Sequence, residues 1–264
     1  MSLLSEERKQ YILRMINEHG QVRANELAQE LGVSTETIRR DLDQLDNENK
    51  LKKVHGGAVK SDNDLIEPSH YMREHIYIEE KRMIGITAAS LVHDNEIIII
   101  DEGSTTLQMI PYLLDKKNIT LITNSLPALT LLVDYKTKGL FNGEFIFIGG
   151  HVDADHLRVS GMIAEQFMHN FHADKAFISL HGVTKDHGAS SYNADEAILS
   201  KTFMDCAEEK IVLFDHSKIN KKKFYRIASL AEYDTVISDA LPPSDWEDHL
   251  ESNHIKWMTV DVSS

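Results

Sequence analysis

The sequence predicts an α/β protein in two parts, a small N-terminal winged helix-turn-helix followed by a larger, Rossmann-like α/β domain. Three observations lead there. Between residues 5 and 48 apolar residues recur at helical spacing in three runs punctuated by glycine. From residue 78 onward, short apolar strand-like runs alternate with helical patterns. Charge also divides along the chain: residues 1–60 carry ten basic and ten acidic side chains, so the whole net charge of −14 falls on the remainder. At 264 residues the chain exceeds a usual single domain, and 42% hydrophobic with 27% charged residues is ordinary globular usage. The expected division is a winged helix-turn-helix over 1–60, a linker over 61–77 and a larger domain over 78–264.

In the first part, Ser5 to His19 places Ile12, Met15 and Ile16 at helical spacing, with Ser5 as a cap and Gly20 as a stop. Ala24, Leu27, Ala28 and Leu31 follow the i, i+3, i+4, i+7 pattern of a second helix, which Gly32 ends. Gly32-Val33-Ser34 is the turn. A third helix, capped by Ser34, turns Ile38, Leu42 and Leu45 inward. Two short helices joined by a three-residue glycine turn make a helix-turn-helix.

The outward arc of the third helix carries Glu36, Arg40, Asp43, Gln44 and Asn47, with Thr37 and Arg39 at its edges. Thr35 to Arg40 is therefore the face expected to meet double-stranded DNA. Arg39 and Arg40 suit guanine edges or phosphates, Glu36 suits a cytosine amino group, and Thr35 and Thr37 suit a phosphate or thymine methyl. The acidic half, Asp41 to Glu48, is expected to point away. Leu51 to Lys60 reads as two short strands around Gly56-Gly57, a wing whose Lys52, Lys53 and His55 suit phosphate contacts.

These residues carry a resemblance. Arg8, Ile12, Ile16, the run Ser34 to Leu42 and Val54-His55-Gly56-Gly57-Ala58 resemble the N-terminal signature of the DeoR family of bacterial transcriptional regulators. The resemblance implies a repressor of a sugar-utilisation operon that leaves its DNA operator when a phosphorylated sugar binds the C-terminal domain. It also implies a sensor domain similar to ribose-5-phosphate isomerase.

Ser61 to Glu67 is polar and aperiodic, as a connector should be. Ile78 to Val92 reads as a helix, and Glu96 to Asp101 as a buried strand. Further strands are expected at Ile119 to Thr123, Glu144 to Ile148, Asp174 to Leu180, Lys210 to Asp215, Thr235 to Ser238 and Ile255 to Val260. Helical patterns separate most of them, which predicts a mainly parallel sheet with ligands bound beyond its carboxyl ends.

The strand end Asp101-Glu102-Gly103-Ser104-Thr105-Thr106 passes into an expected helix, Thr106 to Leu114. Glycine, hydroxyls and a helix N-terminus together make a plausible phosphate cradle, although a glycine-hydroxyl turn is also a common cap, and Asp101 and Glu102 oppose an anion unless they turn aside or hold sugar hydroxyls. The turn matches the family's D-x-G-[ST]-T-T pattern. Family-like stretches continue at Thr123 to Leu126, Ile148-Gly149-Gly150, Ser160-Gly161, Asp174 to Ser179, Glu196 and Asp215 to Lys218, so the resemblance reaches about residue 239. It implies that Ser104, Thr105 and Thr106 hold the phosphate, that Asn124, Gly149 and Gly150 line the cleft, and that Glu196 and Lys218 contact the sugar.

Other chemistry is set aside. His151, Asp153, Asp155 and His156 fit no structural zinc spacing, so neither a metal nor another cofactor is expected. The single cysteine, Cys206, points to helix packing and a reducing, cytoplasmic setting. No apolar run is long enough for a membrane span or a signal peptide. The rival to a regulator is an aldose-ketose isomerase with Glu196 as base, but the expected acidic cluster is missing around His181-Gly182 and His187-Gly188, which favours binding without turnover, hence no enzyme. One winged helix reads few base pairs, so a homodimer or homotetramer is expected.

Overall fold

Local signals cut the N-terminal elements where the chain changes periodicity. The computed structural model describes residues 5–48, 50–59 and 67–261, in two compact units that meet between Ile76 and Tyr77. The first contains helix α1 (Ser5–His19), strand β1 (Gln21–Arg23), helices α2 (Ala24–Glu30) and α3 (Thr35–Asn47), strands β2 (Lys52–Val54) and β3 (Gly57–Val59), and helix α4 (His70–His75). Ile12, Leu13 and Ile16 of α1 meet Leu27 of α2 and Ile38, Leu42 and Leu45 of α3 in one buried core. Gly32 takes φ +62° in the turn between α2 and α3, and Ser34 Oγ accepts from Thr37 N–H at 3.1 Å to cap α3.

The wing is a three-stranded antiparallel sheet in the order β1-β3-β2, with β1 an addition that the sequence reading lacks. Gly57, on the central strand, is fixed by that addition: a Cβ there would lie 2.0 Å from the Val22 carbonyl oxygen. Gly56, at φ +83°, makes the turn. Lys60, the last residue of the expected wing, and 61–66 of the expected linker lie outside the described residues. The rest of that stretch includes α4, whose Met72 joins the core of the first unit.

The second unit opens with Tyr77 in the left-handed conformation, φ 54° and ψ 44°, ahead of α5 (Ile78–Ser90). There follow β4 (Ile97–Ile100), β5 (Thr120–Thr123), α6 (Leu126–Thr137), β6 (Glu144–Phe147), β7 (His151–Asp153), β8 (Arg158–Ser160) and α7 (Met162–Met168). The chain continues through β9 (Ala173–Ile178), β10 (Gly182–Thr184), β11 (Gly188–Ser191), α8 (Ala194–Asp205), β12 (Ala207–Leu213), β13 (Tyr225–Ala228), β14 (Thr235–Ser238), α9 (Glu247–Ser252) and β15 (Lys256–Thr259). Seven strands form one sheet in the order β15-β14-β12-β9-β4-β5-β6, and every pairing in it is parallel.

Both faces of this sheet are covered, and side chains alternate between them as the strand period of two requires. Ile98, Ile100, Leu121 and Phe177 join Ile84, Ala88, Ala128 and Leu132 of α5 and α6. Ile99, Ile122, Ala176 and Ile178 join Ala164, Met168, Leu199 and Phe203 of α7 and α8. The expected α-helix at Thr106 to Leu114 is instead a 3-10 helix, Thr106–Tyr112. Pro111 explains the difference, since it lacks an N–H and its ring obstructs the carbonyl four residues back.

Strand order reverses between β4 and β9: the chain builds outward through β5 and β6, then returns to the other side of β4. Such a switch point leaves a crevice beyond the carboxyl ends of its two strands. Two small antiparallel additions are absent from the sequence reading, the hairpin β7–β8 and the sheet β10-β11-β13.

Candidate functional site

Two places in the molecule gather polar side chains with chemical potential, one in each unit. In the first, α3 presents Glu36, Arg39 and Arg40 to solvent, with Thr35 and Thr37 half-buried beside the cap. Glu36 and Arg39 lie one turn apart, 3.7 Å between charged atoms, a separation that leaves the pair loose. Among the described residues Arg40, Lys52 and His55 enter no ion pair. Lys53 is engaged: its ammonium pairs with Asp43, and its backbone N–H donates to Asp46 at 3.0 Å. The acids of α3 therefore hold the wing. Asp41 turns inward, where Arg8 grips it through Nε at 2.5 Å and Nη2 at 3.0 Å, a tie between α1 and α3 that helical periodicity does not reveal.

In the second unit the candidate residues lie at the carboxyl edge of the sheet, around the switch point. Asp101 to Thr106 follow β4, Asn124 follows β5, Ser179 to His181 follow β9, and Asp215 to Lys218 follow β12. Ser179 Oγ donates to the Glu102 carbonyl at 2.5 Å. That closeness explains Gly103, because a Cβ there would sit 2.6 Å from Ser179 Cβ. Thr106 Oγ1 donates back to the carbonyls of Asp101 at 2.7 Å and Gly103 at 3.1 Å, which spends its proton on the turn. Among the described residues the hydroxyls of Ser104 and Thr105 have no such engagement.

A buried ion bridge dominates this edge. Arg158, on β8, donates from one nitrogen, Nη1, to Glu102 Oε1 at 2.9 Å and to Glu196 Oε2 at 2.7 Å. Its Nη2 lies 3.3 Å from Asp153. Ser191 Oγ also donates to Glu196 Oε2, at 2.6 Å, and His181 Nδ1 lies 3.2 Å from Glu196 Oε1. Arg158, Glu102 and Glu196 are each no more than 2% exposed. Glu196 is placed by α8, whose cap residue Asn193 accepts from Glu196 N–H at 3.2 Å.

Asn124 is the clasp. Its Oδ1 accepts from Glu102 N–H at 3.0 Å, its Nδ2 donates to the Val159 carbonyl at 2.9 Å, and its own carbonyl accepts from Val159 N–H at 3.0 Å. The hairpin β7–β8 is thereby laid across the strand ends. Gly149 and Gly150 are exposed where the chain enters that hairpin, and a Cβ on Gly150 would lie 2.8 Å from the Ser160 carbonyl. Asp153 and His156 of the same loop pair with each other, Nδ1 to Oδ2 at 2.9 Å. Burial pushes the Asp153 carboxyl up, but His156 and Arg158 more than offset this and leave it below the usual carboxylate range.

Charge in the cleft is finely divided. Burial, reinforced by the charges of Glu102 and Glu196, holds the Asp101 carboxyl well above its ordinary value, although Ser200 and the Glu102 N–H work the other way. Ser200 Oγ donates to Asp101 Oδ2 at 2.8 Å. Asp215 is equally buried, yet Lys218, Lys81 and Ser217 together outweigh desolvation and keep it below the usual range. Lys218 thus faces an acid of its own segment.

Of the residues singled out in the sequence, Asp101, Gly103, Thr106, Asn124 and Glu196 are joined through the contacts above. Ser104 and Thr105 stand next to them, Lys218 is at the end of the neighbouring strand β12, and Gly149-Gly150 form the root of the hairpin. Arg158, Ser191, His181 and Ser200 were not singled out as site residues. Arg158 did leave a signal: it is the single arginine between Arg82 and Arg226, set between the apolar Leu157 and Val159.

Comparison with known proteins follows the same two-part division. A DeoR-like helix-turn-helix domain model matches residues 8–64, and a DeoR C-terminal sensor domain model matches residues 76–240. The HTH-type transcriptional repressor GlcR of Bacillus subtilis is 31% identical over 259 residues, 98% of each chain. The L-fucose operon activator of Haemophilus influenzae is 31% identical over 96% of this chain and 98% of its own. The lactose phosphotransferase system repressor of Staphylococcus epidermidis is 33% identical over 86% of this chain and 89% of its own. Among solved structures, ribose 5-phosphate isomerase A of Methanocaldococcus jannaschii shares 19% identity over 53% of each chain, with a TM-score of 0.38.

Proposed function

This chain belongs to the DeoR family of transcriptional regulators, and from that premise we propose that it represses a sugar-utilisation operon and is released from its operator by a phosphorylated sugar. The observation that carries the reading is the coexistence of a DeoR-like helix-turn-helix at 8–64 and a DeoR sensor domain at 76–240 in one chain. Residues 1–60 act as the DNA-binding module, 61–77 as the connector and 78–264 as the sensor and oligomerisation domain. Thr35, Glu36, Thr37, Arg39 and Arg40 enter the major groove, while Lys52 and His55, with Lys53 behind them, meet phosphates. In the sensor, Ser104 and Thr105 receive the phosphate, with Thr106 shaping the turn. Asn124, Gly149 and Gly150 frame the cleft, and Asp101, Glu196 and Lys218 take the sugar side.

Binding without turnover is favoured by the state of Glu196. A general base must reach the proton it removes, whereas Glu196 Oε2 already accepts from Arg158 and Ser191. The regulator works in the cytoplasm as a homodimer or homotetramer, because two recognition helices on one duplex supply the specificity that one lacks.

The test uses the full chain. Fragments of genomic DNA are selected on the protein, and a thermal-shift screen of sugar phosphates identifies ligands, since a molecule bound only by the native state raises apparent stability. The expected result is selective retention of one operator class, lost on addition of one sugar phosphate. Unselective DNA binding, or retention indifferent to every sugar phosphate, overturns the reading.

A further inference from the structure

The acidic excess of the second unit is unevenly spread. From His216 to Ala231 the chain holds five lysines and arginines and no acid, whereas from Asp239 to Glu251 it holds five acids and no lysine or arginine. The basic stretch makes the crossing from β12 into β13, and its loop is pinned. Lys223 N–H donates to Ser190 Oγ at 2.9 Å, and the Lys223 ammonium lies 4.7 Å from the centre of the Tyr192 ring. The Lys221 carbonyl oxygen comes so near β10 that a Cβ on Gly182 would meet it at 2.6 Å. What this loop presents to water is Phe224, 77% exposed, set edge-on against Tyr225 with ring centres 4.9 Å apart. Lys221, Lys222 and Arg226 stand exposed beside it, and among the described residues Lys221 and Lys222 enter no ion pair. An anchor held on a fixed backbone loses little freedom when a partner covers it.

The acidic stretch builds a counterpart. Between α9 and β15 lies an open recess of about 440 Å³, lined by Glu247, Leu250, Glu251, His254, Ile255 and Trp257. Leu250 and Ile255 are buried and Trp257 is half-buried, which makes the floor apolar, while Glu247, Glu251 and His254 are exposed at the rim. A cavity of roughly 150 Å³ already accepts a benzene ring, so the recess has room for a phenylalanine side chain. Among the described residues Glu247 and Glu251 enter no ion pair. Strand β15 is also the end of the seven-stranded sheet, and proteins ordinarily cover such an edge.

We propose that this recess is the docking site of a second copy of the chain, whose Phe224 enters it while Lys221 and Lys222 meet Glu247 and Glu251. The charges select the occupant: the rim repels an acidic segment, and the chain's own basic, aromatic loop supplies the matching sign. An aromatic anchor within a charged rim is the common anatomy of a protein interface. Loop and recess belong to the same unit, so in a two-fold dimer each copy both gives its Phe224 and receives that of the other. The proposal rests on the reading of the chain as a homo-oligomer and adds the surface that joins the copies.

Sedimentation velocity on the full chain tests the pairing through two charge reversals, Lys221→Glu/Lys222→Glu in the loop and Glu247→Lys/Glu251→Lys at the rim. All four side chains are exposed, so these substitutions leave the fold intact. Each variant alone is expected to lose one association step, dimer to monomer or tetramer to dimer, with the dissociation constant raised at least about tenfold. An equimolar mixture of the two is expected to regain that step, because in the mixed dimer the reversed loop meets the reversed rim and the native loop meets the native rim. Phe224→Ala is expected to lose the same step. Variants that associate as wild type does, or a mixture that fails to recover, overturn the interface and leave the homo-oligomer reading standing. Wild type that is monomeric at every concentration measured overturns both.

Discussion

The recognition face of the first unit and the cleft of the second solve the same problem of presenting charge in opposite ways. On α3, Arg39, Arg40 and Glu36 stand in water, and among the described residues Arg40 has no ion-pair partner. At the carboxyl edge of the large sheet, Arg158, Glu102 and Glu196 are sealed from water and bonded to one another. An exposed charge is solvated until its partner arrives, so it can wait unpaired. A buried charge must be paired throughout, so its partners are built into the fold. On the proposed function, the face meets a polyanion and the cleft a small ligand.

The comparison breaks most visibly if the buried bridge proves dispensable. Arg158→Met leaves two buried carboxylates facing each other and is expected to lower unfolding free energy by about 3–5 kcal/mol in urea titration. The first unit buries the pair Arg8 and Asp41, and Asp41→Ala, which takes from Arg8 the carboxylate it grips, is expected to destabilise by roughly 2–4 kcal/mol. Equal losses at the two positions would mean that burial, rather than location in the cleft, sets the magnitude.

A third measurement sharpens the electrostatic contrast through pH. Asp101 has its folded pKa raised, chiefly by burial, so its contribution to stability is complete below the ordinary carboxylate range and is lost as pH rises toward the folded value. Asp101→Asn has no such titration. The stability difference between wild type and this variant is therefore expected to shrink from pH 4 upward, at a slope of up to about 1.4 kcal/mol per pH unit, when urea midpoints are compared. A difference constant with pH would show that Asp101 is charged in the folded protein.

The smallest effect on stability belongs to the exposed face. Arg40→Ala should change unfolding free energy by less than about 0.5 kcal/mol, yet weaken operator binding by about 1–3 kcal/mol if it reads a base. Fluorescence anisotropy on the selected operator separates the two quantities, and loss of stability in step with loss of binding would assign Arg40 to the fold.

The same contrast decides what could be read from the residues alone. The helix-turn-helix was legible because its signals are local: Gly32, Ser34 and the spacing of Ile38, Leu42 and Leu45 fall within one short stretch. The seven strands of the large sheet were legible because strands buried on both faces are apolar throughout. Strand β1 was not, since three residues gain their identity only by pairing with β3 far along the chain. The hairpin β7–β8 and helix α4 are likewise short elements defined by what they pack against. In the cleft, the turn at Asp101 to Thr106 announced itself, whereas the bridge draws Glu102, Arg158 and Glu196 from three distant segments, and no periodicity links them.

Asn124 has one further consequence. An asparagine followed by a small residue ages chemically when the next backbone nitrogen attacks its side-chain carbonyl, and Asn124 precedes Ser125. Here the amide is tethered at both ends, to Glu102 N–H and to the Val159 carbonyl, while the Ser125 nitrogen is turned toward Thr123 Oγ1 at 3.2 Å. Both the side-chain amide and the attacking nitrogen are thus engaged in hydrogen bonds. The clasp that lays the hairpin over the strand ends is therefore expected to slow the deamidation that would replace its donor with an acceptor.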